Sequence, residues 1–113
     1  MDLNAIKQRL LQVYPQWKDI LENAVFTDSL NVDPTDNDGQ RIFYNSRRFQ
    51  FYTPEQQDTL MAREVLHLQL AHRGRRRGRD AALWRRATDA VANALLEKDG
   101  FSLPADSERL PDD

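Results

Sequence analysis

Five residues near the middle of the chain, Arg63-Glu64-Val65-Leu66-His67, stand one substitution away from a hydrolytic metal site. In the zinc-hydrolase signature H-E-x-x-H, two histidines one helical turn apart hold the metal. The glutamate beside the first histidine is the general base on the metal-bound water. Here Glu64 and His67 keep their places and Arg63 replaces the first histidine. A guanidinium has no lone pair to give and does not deprotonate in a protein, so Arg63 is no ligand. It also puts a positive charge where a metal cation would sit. Catalytic zinc needs three protein ligands and an open position for water. Alone, a Glu and a His three residues apart are a weak signal, and a polar patch on a helix is the simpler account.

The elements that must position these residues can be read from their caps and periodicity. Thr53-Pro54-Glu55-Gln56 spells a helix start, with Thr53 as N-cap, Pro54 at the first helical position and Gln56 completing a capping box. The helix is expected to run from Pro54 to His72 and to stop near Gly74. On it Leu60, Glu64, His67 and Ala71 share one face, and Arg63 neighbours His67 at i,i+4. His72 lies more than about 120° round an ideal helix from His67, so it joins the same site only if the helix ends or unwinds first. Beyond a basic loop, Asp80 caps a second long helix over residues 81–98, closed by Gly100. Its apolar face is expected to be Leu83, Trp84, Ala87, Val91, Ala94 and Leu95. Asp89 and Asn93 lie on a different face and look toward Glu64 and His67 only if this helix is packed on two sides.

Upstream, Leu3, Ile6, Leu10 and Val13 predict a first helix capped by Asp2. Pro15 breaks it at Tyr14 and opens a short second helix with Trp17, Ile20, Leu21 and Ala24 inward. Residues 24–27 and 41–44 read as strands of a two-stranded antiparallel ribbon, joined through the turn signal Asp38-Gly39. The acidic run DPTDNDGQ lacks the spacing and closing Glu of a calcium loop, so it reads as a turn. Residues 45–52 predict a helical turn with Phe49 and either Phe51 or Tyr52 inward.

Composition sets the limits. A chain of 113 residues supports one modest core, read as a single domain over 1–103 with a polar tail over 104–113. There is no cysteine, so neither disulfides nor a thiolate zinc site is available, and the only two histidines are His67 and His72. No apolar stretch is long enough for a membrane span and no leader peptide is visible, so a cytoplasmic location is expected. The net charge is −2, yet Arg63 to Arg86 holds eight arginines against two acids. Arg73, Arg75, Arg76, Arg77 and Arg79, with Arg85 and Arg86 nearby, are therefore candidates for a polyanion or nucleic-acid contact. No aromatic residue interleaves them in sequence, which leaves no obvious platform for base stacking.

From Thr35 to Pro104 the motifs follow one another in a familiar order: TDNDGQRIFYN, TPEQ, REVLHLQLAH, then RRGRDAALWRRATDAVANALLEKDGFSLP. In this order and spacing the chain resembles the N-terminal metallopeptidase domain of bacterial von Willebrand factor A-like (VWA-like) proteins. The resemblance implies an α+β, mostly helical, zincin-like fold, with a small antiparallel ribbon and two long packed helices. It aligns Glu64 with the catalytic glutamate and His67 with the second metal ligand. His72 and Asp89 fall where that family has His and Asp, as a third ligand or as support for the ligands, with Asn93 also supporting. Arg63 breaks the ligand set, and Arg85 stands where an Asn usually follows the Trp. What this implies is a degenerate metallopeptidase-like domain, catalytically inactive and without a cofactor, that binds a protein partner such as a separate VWA-like domain protein. The alternatives are an active zinc peptidase using His67, His72, Asp89 and Glu64, or polyanion binding through the arginine-rich loop.

Overall fold

The helix carrying Glu64 and His67 is the centre of the molecule. In the computed structural model, residues 1–111 are described, with the side chain of Arg73 left out. This central helix, α4 (Pro54–Gln69), follows α1 (Leu3–Val13), α2 (Lys18–Asn23), β1 (Val25–Asp28), β2 (Thr35–Asn37), β3 (Arg41–Tyr44) and α3 (Ser46–Phe49). It precedes α5 (His72–Arg75) and α6 (Ala81–Lys98). Its start is the expected capping box: the Thr53 hydroxyl accepts from the Gln56 amide N–H, and the Gln56 side chain accepts from that of Thr53. A surface helix buries one stripe, whereas α4 buries every residue from Thr59 to His67. Such a helix must be covered on all sides, and it is: α1, α2, β2, β3, α5 and α6 all contact it.

The apolar side of α4 presents Leu60, Met61 and Val65 to Ile6 and Leu10 of α1, Trp17, Leu21, Ile42, Phe49 and Leu96. Asp2 caps α1 as expected, and Pro15 opens a 3-10 turn, Pro15–Trp17, that leads into α2. Trp17 is buried at that junction, and its indole N–H donates to Gln69 Oε1 at 3.1 Å. Asn45 caps α3, which turns Phe49 into the core while Phe51 stays exposed.

The sheet corrects the expected strand pairing. It has three strands in the order β1-β3-β2, mixed rather than purely antiparallel. The antiparallel ribbon is formed by β2 and β3, with Thr35 opposite Tyr44 and Asn37 opposite Ile42 around the Asp38-Gly39 turn. The strand before the acidic run, β1, lies parallel to β3, with Val25 opposite Arg41 and Asp28 opposite Tyr44. At the turn Gly39 adopts φ 92°, and the Asp38 carboxylate accepts from the backbone N–H groups of Arg41 and Gln40. The strand missed from sequence, Thr-Asp-Asn, has little strand propensity. It lies in the sheet with Thr35 and Asn37 buried, where both side chains reach Glu64.

A second correction concerns α6. Its cap on Asp80 and its end at Gly100, with φ 94°, fall as expected. Its predicted apolar face, however, is largely turned outward: Leu83 is 64% exposed, Leu95 42% and Val91 40%. The buried side carries Thr88, Asp89, Ala92, Asn93 and Leu96. The reason is electrostatic. A carboxylate buried without a cation costs several kcal/mol, more than uncovering part of a Leu or Val side chain. The helix therefore docks with Arg85 turned to Glu64 and Asp89 beside it. Residues 102–110 have no helix or strand and are tied back to α6 and α4. Asn93 Nδ2 donates to the Glu108 carbonyl at 2.9 Å, and Thr59 Oγ1 donates to that of Ser102 at 2.6 Å. Among the described residues no helix is long and apolar enough to cross a membrane.

Candidate functional site

Glu64 is completely buried and surrounded by donors from three elements. From β2, Thr35 Oγ1 donates to Oε2 at 2.8 Å and Asn37 Nδ2 to Oε1 at 3.0 Å. From α6, Arg85 forks across both oxygens, with Nη2 2.7 Å from Oε2 and Nη1 3.1 Å from Oε1. From α4 itself, Arg63 Nε lies 3.4 Å from Oε2. Burial raises the Glu64 pKa, but Arg85 and Arg63, with help from His67, outweigh it and hold the carboxyl well below the usual range. Arg85 feels the reverse: burial lowers its pKa, and Glu64 and Asp89 more than restore it.

Asp89 is the second carboxylate of the cluster. Arg85 Nε donates to its Oδ2 at 3.1 Å, and Arg63 Nε lies 3.6 Å from Oδ1. The Arg63 guanidinium also donates from Nη2 to Thr35 Oγ1 at 3.0 Å. Two guanidiniums thus face two carboxylates, and Arg85 extends to Asp36 at 3.0 Å.

The histidines complete the row. The α4 helix ends at Gln69, and Ala71 takes a left-handed conformation with φ 54°, so α5 starts in a new direction. This break brings His72 to His67, which an unbroken helix would forbid, with the two Nδ1 atoms 2.8 Å apart. His67 Nε2 lies 2.6 Å from Asp89 Oδ1. An ionised Asp89 can only accept, so His67 Nε2 is the donor there. Which of the two Nδ1 atoms donates to the other depends on the protonation of the pair. Burial pushes the His72 pKa down, and His67 and Arg75 add to the effect. The Trp84 indole N–H fixes the start of α5 by donating to the His72 carbonyl at 2.6 Å.

Of the residues singled out from sequence, the fold brings Arg63, Glu64, His67, His72 and Asp89 into one cluster. Asn93 lies elsewhere, on the Glu108 carbonyl. Arg85 is the residue sequence reasoning missed: grouped with the basic loop, it is the main counter-ion of the site. The available signals were its departure from the family's Asn and its position four residues before Asp89. Arg86 likewise leaves the loop set, pairing with Glu108 at 3.3 Å.

These donors do not suit a zinc ion. Both ring nitrogens of His67 are committed, to Asp89 and His72. Both Glu64 oxygens carry guanidinium hydrogens. Among the described residues no group of three or more His, Cys, Asp or Glu side chains is arranged to hold a metal. Two clefts flank the cluster. One, about 280 Å³, is bounded by His67, His72, Arg76, Trp84 and Arg85. The other, about 260 Å³, runs along Arg63, Arg85 and Asp89 beneath residues 104–108.

A family model described as "Putative metallopeptidase domain" matches residues 1–110, and the chain belongs to that family. No curated protein and no solved structure matches it.

Proposed function

We propose that this chain is a metallopeptidase-family domain in which paired arginines have taken the place of the metal, and that it serves as a protein-binding module. One observation carries the reading: Arg63 and Arg85 together neutralise Glu64 and Asp89, the carboxylates that would otherwise face a cation. A general base must accept a proton. Glu64, held ionised far below neutral pH and covered by two guanidiniums and two neutral donors, has no lone pair left to aim at a water. The turned-out apolar stripe of α6, Leu83, Val91 and Leu95, supports a role in docking. A VWA-like domain on a separate polypeptide is the partner suggested by the resemblance in sequence.

Metal analysis after equilibration with zinc tests the reading. The chain should emerge without stoichiometric zinc. Zinc retained in the native chain and lost in His67→Ala would overturn it. The convergence of His67, His72 and Asp89 favours a second reading, a zinc peptidase with a rearranged ligand set. That reading requires Arg85 to leave Glu64 on metal binding, so the same titration separates the two.

A further inference from the structure

The basic loop before α6 has a feature its sequence does not show. Seven arginines elsewhere in the described structure reach a carboxylate. Arg75, Arg76, Arg77 and Arg79 reach none among the described residues. Three of these, Arg75, Arg77 and Arg79, line a separate cleft of about 190 Å³ whose remaining wall is Trp84. The aromatic residue absent from the arginine run is thus supplied by the first turn of α6.

The cleft is also held in shape. The Arg79 guanidinium lies 4.8 Å from the centre of the Trp84 ring and donates to the Arg75 carbonyl at 2.6 Å. Trp84 is fixed from its other side by the hydrogen bond to the His72 carbonyl. Arg75 Nη1 reaches the Leu70 carbonyl at 3.3 Å, and Arg77, which lines the cleft with Trp84, sits at φ 52°, in the left-handed region. A flat cation lying on an indole, with further uncompensated guanidiniums around it, matches the two needs of a single nucleic-acid strand. Guanidiniums pair with phosphates, and a ring or guanidinium plane takes a base by stacking. An acidic peptide would use the charges and leave the aromatic wall unused.

We infer that the cleft formed by Arg75, Arg77, Arg79 and Trp84 binds single-stranded nucleic acid, with the arginines on the phosphates and a base against the Arg79–Trp84 stack. This cleft shares Trp84 with the cleft beside His67 and His72, but its arginines are none of those that face Glu64. With three or four phosphate contacts, the logarithm of affinity should fall against that of salt concentration with a slope of about −2 to −3.

Fluorescence polarisation of a labelled oligothymidylate of about ten nucleotides, titrated with the full chain at low salt, tests it. Binding should quench indole emission, and Trp84→Phe should remove the quench. Arg77→Ala with Arg79→Ala should weaken binding about tenfold or more while leaving the circular dichroism spectrum unchanged. Polyglutamate should compete poorly. Absence of binding would overturn the inference and leave a solvated loop. Equal competition by polyglutamate, without indole quenching, would overturn it in favour of docking on an acidic protein surface.

Discussion

Arg85 and Arg63 have unequal roles, and their difference makes the proposed charge exchange testable. Arg85 holds both oxygens of Glu64, while Arg63 bridges Glu64, Asp89 and Thr35 at longer range. Restoring the motif with Arg63→His alone should not create a zinc site, because Arg85 still covers the base. Arg63→His combined with Arg85→Asn should, and calorimetric titration with zinc checks it. Glu64→Gln leaves the two guanidiniums with Asp89 and the half-exposed Asp36 and removes the one fully buried carboxylate, and urea unfolding should show a loss of about 3–5 kcal/mol. The pH dependence follows from the same residue. Its folded pKa is depressed, so its contribution is full above the unfolded value of 4.5 and is lost as pH falls below that toward the folded value. The difference in melting temperature between the native chain and Glu64→Gln should therefore shrink as the pH is taken below 4.5.

At the level of elements, what could be read from sequence was what local rules determine. The caps of α1, α4 and α6 rest on a few adjacent residues and fell as expected. The β2 strand did not, because Thr35 and Asn37 are there for Glu64, a partner far away in sequence. The face of α6 was misjudged for a related reason: apolar periodicity ranks Leu83 and Val91 as interior and takes no account of a buried carboxylate on a neighbouring helix. Stability measurements should separate the two faces. Leu96→Ala should lose about 2–5 kcal/mol, whereas Val91→Lys or Leu95→Lys should change stability by no more than about 0.5 kcal/mol. On the proposed protein-binding role, the same lysine variants should also weaken binding to a VWA-like domain. The break between α4 and α5 was legible only as a condition on His72. Ala71 holds it in a conformation that disfavours a side chain, so Ala71→Gly should raise stability by up to about 1 kcal/mol in thermal melts.

Across the whole molecule, the cluster ties together segments that are distant in the chain: β2, both ends of the α4–α5 bend, and α6. The segment after α6 adds an outer clasp, with Glu108 between Asn93 and Arg86, and Arg109 on Glu97 at 2.9 Å. Pro104 is buried, and residues 104–108 cover the cleft beside Arg63 and Asp89. Removing residues 104–113 should lower the urea midpoint and speed hydrogen exchange in α6 more than in α1. The family could be read from sequence because ordered motifs survive along most of the chain. The main counter-ion of Glu64 could not, since that depended on where Arg85 would reach.

The fork between Arg85 and Glu64 also bears on how this chain can change over generations. Arg63 and Arg85 together answer Glu64 and Asp89, with Asp36 at the edge, and loss of either arginine leaves the two buried carboxylates sharing one guanidinium. Arg63→His alone leaves Arg85 across both Glu64 oxygens; Arg85→Asn alone leaves Arg63, Thr35 and Asn37 on them. Each single change is expected to lower stability. A change at either arginine is therefore expected to need a matching change at the carboxylates it faces, which couples positions 63, 64, 85 and 89 although they lie on two helices.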